Sequence, residues 1–182
     1  MAIRIENQYE GALPKGTQDQ IESAFDSLPR EHTRGIERIR LVPYITDPRV
    51  KGMAFQATEL PGLYHPRQGP KGAWLEIAVN VLLPADKPFH KRIVPKLSYK
   101  SNLVALVFSL VAQHYHITLK HSLKKTQLEP AVRAYTEKQL KAWNEKKHSF
   151  RAKLFKPLQP TFERWAKSLQ KRAAAEKKKQ AG

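Results

Sequence analysis

The chain has 182 residues, a formal net charge of +17 and no cysteine. A chain of this length forms one domain with a core of its own. The lack of cysteine excludes a disulfide framework, a thiol nucleophile and a zinc site with cysteine ligands. The N-terminus resembles neither a signal peptide nor a presequence, and no apolar run reaches the roughly 20 residues that cross a bilayer. We therefore expect a cytoplasmic protein without a membrane partner.

Positive charge is the strongest feature of the composition. The chain has 33 Lys and Arg against 16 Asp and Glu. Such an excess predicts a polyanionic partner, which is most often nucleic acid and less often an anionic membrane face. It carries no information about the fold.

The first half of the chain predicts one helix followed by three or four strands. Residues 1–16 show little pattern and are interpreted as an N-terminal extension. Thr17 and Gln20 can form a capping box at the start of a helix that Pro29 ends. Strands are predicted at 36–43, 52–58, 62–65 and 73–83. The last strand has Leu75, Ile77, Val79 and Val81 on one side and Trp74, Glu76, Ala78 and Asn80 on the other.

The second half is organised around a central helix predicted at residues 101–121. Its middle is unbroken apolar sequence, and a helix that is apolar on all sides is buried on all sides. Ser101 can cap its start. Pro88 and Pro95 precede it, so any helix in residues 85–100 is expected to be short.

Two further helices are predicted after the central one. Pro130 is placed in the first turn of the first, and the second runs from about Thr161. Because the strands precede most of the helices, the pattern predicts an α+β fold, with a small sheet packed on the buried central helix. The predicted boundaries are 1–16 for the extension, 17–148 for the α+β domain and 149–182 for a basic C-terminal helix and tail.

Three histidines, His114, His116 and His121, lie at the polar end of the central helix. A zinc site on a helix needs two His at i and i+4, with a Glu after the first that acts on a zinc-bound water. No pair here has that spacing, and His114 and His116 lie about 200° apart around a helix. A relocated zinc site that uses these histidines with Glu129 stays an alternative.

The order of elements resembles that of the minimal zincin-like metallopeptidases. The resemblance rests on GLYHP, AWLEIAVNVLL, the apolar helix and the helix that carries Arg133, Ala134 and Tyr135. In that family an α-β-β-β unit and a Trp-bearing edge strand precede the active helix, which carries HExxH. A later helix supplies a third zinc ligand from a Glu shortly before an aromatic–Ala pair. The resemblance covers roughly residues 17–145 and implies a zincin-like fold.

Placed on that pattern, the zinc signature of this chain is degenerate. Ala112 stands at the first His position, Gln113 at the catalytic Glu, His116 at the second His and Arg133 at the third-ligand Glu. Alanine offers no lone pair, the Gln amide is a poor base, and the fixed cation of Arg repels zinc. Zinc needs three protein ligands, so the resemblance implies an inactive zincin without a zinc cofactor.

Plainer interpretations of the same residues stay open. Buried helices are common, so the match to the family can arise by chance. His116 can be a hydrogen-bonded core residue. His121 lies next to Lys120 and suits a positive surface better than a metal site.

The basic residues concentrate towards the end of the chain. Residues 141–182 hold 13 Lys and Arg against three acidic residues, a net charge of +10. Basic side chains supply contacts to phosphates. The predicted nucleic-acid-binding residues are Lys120, Lys124, Lys125, Lys146, Lys147, Arg151, Lys153, Lys156, Lys171, Arg172, Lys177, Lys178 and Lys179.

No zinc finger, RNP signature, GxxG loop or Walker loop is present in the sequence. We therefore expect binding led by phosphates and by shape, with RNA favoured over DNA. The sequence predicts a catalytically inactive zincin-like protein that binds RNA, within a ribosome or another ribonucleoprotein. The alternatives are a metal-dependent peptidase or hydrolase with an atypical His site, and a structural subunit of a protein complex.

Overall fold

The computed structural model describes residues 3–47, 59–84, 89–119 and 125–155. Their elements confirm the predicted α+β class. By internal contacts the chain divides into Met1–Trp143 and Asn144–Gly182, whereas the sequence predicted a boundary after residue 148. No helix in the described ranges is long and apolar enough to cross a membrane. In chain order the elements are β1 (Arg4–Asn7), α1 (Thr17–Asp26), α2 (Arg30–Thr33), β2 (Ile36–Val42), β3 (Gly62–His65), β4 (Ala73–Ala78), α3 (Val79–Leu82), α4 (Phe89–His114), a π-helical turn (Tyr115–Leu119) and α5 (Lys125–Phe155).

The four strands form one mixed sheet in the order β1-β2-β4-β3. Strands β1, β2 and β4 are parallel, with Ile39 opposite both Ile5 and Leu75. Strand β3 is antiparallel to β4 and lies at the edge, with Tyr64 opposite Leu75. Helix α1 lies in the chain between the parallel strands β1 and β2, as a crossover between parallel strands requires.

One face of the sheet forms the core together with α1 and α4. Alternate residues of the central strands, such as Ile39 of β2 and Leu75 of β4, are fully buried on this face. Leu103 of helix α4 is fully buried. The ring of Phe108, on the same helix, meets the ring of Trp143 of α5 edge-on at 6.1 Å. The prediction of a central helix covered on all sides is confirmed only in part, because seven of the residues 103–112 are buried while Ala105, Leu106 and Ser109 are half-buried.

The N-terminal region differs from the sequence prediction in two ways. Residues 1–16 were interpreted as an extension, but they contribute strand β1, which pairs with β2. The predicted capping box is wrong, because the N-cap of α1 is Gly16, with a φ of 76°, and not Thr17. The hydroxyl of Thr17 instead donates to the carbonyl of Pro14 at 2.6 Å.

The strand prediction at 73–83 is correct only as far as Ala78. The chain then turns into the short helix α3. The Trp-bearing strand β4 pairs on both sides, so it lies inside the sheet. The resemblance had implied a position at the edge. The strand predicted at 36–43 is found as β2, and the one at 62–65 as β3. The predicted strand at 52–58 and the predicted helix from Thr161 fall outside the described residues.

The prolines did not limit the helices as predicted. Helix α4 begins at Phe89, so Ser101 is not its cap and Pro95 lies inside it. Helix α5 begins at Lys125, which places Pro130 in its second turn. A proline inside a helix removes one backbone hydrogen bond, and Tyr99, one turn after Pro95, is fully buried.

Candidate functional site

Of the four residues that the resemblance places at zinc-signature positions, three lie at or just after the C-terminal end of α4. Ala112 is fully buried, Gln113 is half-buried, and His116 is buried in the π-helical turn. Arg133 lies away from them, with 79% of its side chain exposed and a hydrogen bond of 3.0 Å to Glu137. From the same helix α5, Tyr135 is the residue that reaches this end of α4.

His114 is the centre of a buried hydrogen-bond chain. Its Nδ1 lies 3.0 Å from the hydroxyl of Tyr64, and its Nε2 lies 2.8 Å from the carbonyl oxygen of Arg34. The hydroxyl of Tyr64 lies 2.7 Å from that of Thr118. The chain joins α4, the edge strand β3, the segment after α2 and the π-helical turn.

The direction of these hydrogen bonds follows from the carbonyl acceptor. A carbonyl only accepts, so Nε2 of His114 carries a proton and donates to Arg34. Burial lowers the pKa of His114, against a smaller opposite effect of the Arg34 carbonyl, so the ring is neutral and its Nδ1 accepts from Tyr64. Burial also raises the pKa of Tyr64, which keeps its proton in place. Thr118 then donates to the oxygen of Tyr64.

Beside this chain lies an aromatic cluster of His32, Tyr115, His116 and Tyr135. The hydroxyl of Tyr135 and Nδ1 of His32 are 2.7 Å apart, and the rings of His32 and Tyr115 are 4.2 Å apart. His116 meets Tyr135 edge-on at 6.1 Å. Burial lowers the pKa of His32 and raises that of Tyr135, so Tyr135 donates to a neutral ring. π-Helical turns are frequent at functional sites, and this one contributes two of the four rings.

The arrangement leaves His114 without a nitrogen for a metal ion, because both of its ring nitrogens are in hydrogen bonds. Within the described ranges, no group of three or more His, Asp or Glu has a geometry that could hold a metal ion. His121, the third histidine of the alternative site, lies outside those ranges. The described part of this end of α4 is therefore a closed network of rings and hydroxyls.

The opposite face of the sheet carries a charged network. Glu6 of β1 accepts from Arg40 at 2.9 Å and from Arg4 at 3.2 Å. The guanidinium groups of Arg38 and Arg40 lie over the Trp74 ring at 5.4 and 5.7 Å, which is cation–π distance. Burial alone would raise the pKa of Glu6, but its hydrogen bond to Arg40 and the nearby arginine charges outweigh burial and lower it.

His65 extends this network to the edge strand. Its ring stacks on Trp74 at 4.4 Å with an interplanar angle of 9°. Its Nε2 lies 2.9 Å from Glu76 and its Nδ1 lies 3.3 Å from Asp47. The ring donates to both carboxylates only when both nitrogens carry protons. His65 thus fastens β3 to β4 and to the segment that follows Ile45, which is a structural role.

A groove of about 1280 Å³ lies at the amino ends of the three parallel strands. Buried apolar side chains line it, namely Ile3, Phe25, Leu28 and Ile36. Four arginines also line it, namely Arg4, Arg30, Arg34 and Arg67. The sequence prediction missed this set because its members are far apart in the chain.

The predicted nucleic-acid-binding residues are only partly described. Lys146 and Lys147 are exposed on α5. Lys125, Arg151 and Lys153 belong to the same helix. The following predicted residues lie outside the described ranges: Lys120, Lys124, Lys156, Lys171, Arg172, Lys177, Lys178 and Lys179.

Comparison of the chain with protein-family models, with curated proteins and with solved structures finds no match in any of the three.

Proposed function

We propose that this protein binds RNA through its basic residues and does not act as a peptidase. The observation that carries the proposal is the charge distribution, with a net charge of +10 in residues 141–182 out of +17 in the whole chain. Neutralising phosphates with Lys and Arg releases counterions, which makes such a concentration of charge favour a polyanion. RNA is favoured over DNA because no motif for reading base edges in a groove is present.

We further propose a zincin-like fold for the first unit. Three features support it: α1 precedes β2, β3 and β4, a buried helix follows them, and a later helix reaches the C-terminal end of that buried helix. The position of β4 inside the sheet departs from the family pattern.

The absence of peptidase activity is proposed from the residues at the signature positions. Ala112 is fully buried among core side chains, and an alanine methyl group cannot bind a metal. Gln113 replaces the general base, and an amide does not take a proton from water. Arg133 lies on the exposed face of α5.

The cytoplasm, or a ribonucleoprotein within it, is the proposed location.

The test is RNA binding by the full chain, purified without a His-tag and treated with nuclease. A labelled single-stranded RNA should bind with an affinity that falls steeply as salt rises, because each neutralised phosphate adds about 0.7 to the slope of log K against log salt. RNA should also copurify in the absence of nuclease and raise the ratio of absorbance at 260 nm to that at 280 nm.

Two results would contradict the proposal. An affinity that does not change between low and moderate salt would exclude binding led by phosphates. One equivalent of zinc held by the purified protein, together with hydrolysis of an unstructured protein substrate, would favour the metal-dependent hydrolase instead.

A further inference from the structure

The groove at the amino ends of β1, β2 and β4 differs from the chain as a whole in its ratio of arginine to lysine. The chain has 21 lysines and 12 arginines, yet the described residues that line this groove include four arginines and no lysine. Arginine differs from lysine because its planar guanidinium group binds phosphate through two parallel hydrogen bonds and stacks on flat rings. A surface that only needs positive charge has no reason to exclude lysine.

The four arginines reach the groove from four separate parts of the fold. Arg4 begins β1, Arg30 begins α2, Arg34 follows α2, and Arg67 lies between β3 and β4. Within the described part of the chain, no carboxylate forms an ion pair with Arg30, Arg34 or Arg67, whereas Arg4 pairs with Glu6. Three guanidinium groups therefore line the groove without an ion pair from the described carboxylates.

The other groups of the groove suit bases and riboses better than an isolated anion. Phe25, Leu28 and Ile36 line it as buried apolar side chains with at most 8% exposure, so the flat faces of unpaired bases would stack on the planar guanidinium groups of the exposed arginines. Its carboxylates are Asp26, Glu31 and Glu37, which can accept hydrogen bonds from the amino groups of bases. The side chain of Glu37 packs against Gly72 and fills the space that a Cβ atom at Gly72 would need. It therefore lies along the wall of the groove.

We propose that this arginine groove, defined by Arg4, Arg30, Arg34 and Arg67, holds a segment of single-stranded RNA. The inference rests on the proposed RNA-binding function and places one binding site on the unit Met1–Trp143. Guanidinium groups bind phosphates and stack on bases, and the carboxylates accept from base amino groups. Its volume of about 1280 Å³ exceeds the 300–1,000 Å³ of most small-molecule pockets.

The experiment compares two full-length variants that each lose three positive charges. The test variant is Arg30→Gln, Arg34→Gln and Arg67→Gln. The control is Lys96→Gln, Lys100→Gln and Lys141→Gln, whose lysines are exposed on α4 and α5 and do not line the groove. Affinity for a labelled oligouridylate is measured by fluorescence anisotropy, and circular dichroism checks that both variants fold.

The test variant should bind the oligouridylate about 10- to 100-fold more weakly than the wild type, and the control less than about 3-fold more weakly. Equal losses of affinity in the two variants would overturn the groove while leaving the proposed function in place. Failure of the wild-type protein to bind RNA would overturn the proposed function itself.

A second measurement does not depend on the folding of a variant. An oligonucleotide that carries 4-thiouridine is crosslinked to the wild-type protein by light, and the modified peptides are mapped. Crosslinks within residues 25–37 or 67–72 support the groove. Crosslinks confined to the C-terminal residues would overturn it.

Discussion

At the scale of single residues, a few buried polar side chains satisfy one another's hydrogen bonds away from water. His114, Tyr64 and Thr118 form a directed chain that ends on the carbonyl of Arg34. Leaving one buried partner unsatisfied costs about 1–3 kcal/mol. Burial lowers the pKa of His114, against a smaller opposite effect of the Arg34 carbonyl, and the neutral ring both donates and accepts in this chain.

The first prediction concerns the dependence of stability on pH. The folded-state pKa of His114 is below 6.5, the value for an unperturbed ring, so the unfolded chain binds protons more readily than the folded protein does. The stability from the neutral ring is fully present above about pH 6.5 and is lost as pH falls through the folded-state pKa. His114→Gln should therefore lose less stability than the wild type between about pH 8 and about pH 5.

Urea unfolding at both pH values measures this difference. Tyr64→Phe serves as the control, because it removes a hydrogen bond to His114 but keeps the titrating ring. It should be less stable than the wild type at both pH values and keep most of the pH dependence. An unchanged pH dependence in His114→Gln would show that the neutral ring does not contribute as described.

At the scale of elements, the edge strand β3 packs against both β4 and α4 through Gly62. A Cβ atom on Gly62 would lie 2.9 Å from the backbone oxygen of Glu76 and 3.1 Å from the side chains of Leu106 and Leu110. The glycine thus allows β3 to approach α4 closely, which brings Tyr64 to His114.

The second prediction is that Gly62→Ala destabilises the protein by about 1–3 kcal/mol, as expected for overpacking. Part of the crowding comes from leucine side chains, so the substitution should cost less in a Leu106→Ala background. Thermal or urea unfolding of the four proteins of this double-mutant cycle should give a coupling energy of at least about 0.5 kcal/mol. Strictly additive effects would mean that Gly62 and Leu106 do not compete for the same space.

At the scale of the whole molecule, the main feature is the uneven distribution of charge along the chain. The first 140 residues hold 20 basic and 13 acidic residues, while residues 141–182 hold 13 and three. Most of the net charge is therefore carried by less than a quarter of the chain. Long-range attraction of a polyanion follows from this concentration.

The third prediction tests that concentration. Replacing Lys177, Lys178 and Lys179 by Gln should lower the slope of log K against log salt by up to about 0.7 for each phosphate that is no longer neutralised. The measurement is a salt titration of RNA binding. Replacing Gln170 and Gln180 by Ala, which changes no charge, should leave the slope as it is. A slope that stays at the wild-type value in the lysine variant would remove these three residues from the interface.

Some of what the sequence prediction missed was present in local patterns. Residues 133 and 135 lie about 200° apart on a helix, so the inward position of Tyr135 already excludes Arg133 from the same site. Ile3 and Ile5 alternate with charged residues, and this alternation indicates strand β1. With only four residues, the strand is too short for the pattern to be evident from the sequence.

The sequence by itself determined the α+β class, the buried central helix and the uneven charge, because these follow from composition and from the periods of 2 and 3.6 residues. Only the tertiary structure decided which polar groups meet. His114 lies 50 residues from Tyr64 and 80 from Arg34 in the chain, and the arginine groove gathers positions 4, 30, 34 and 67. Such contacts depend on the strand order β1-β2-β4-β3 and on where each connection crosses, and no local period encodes that order.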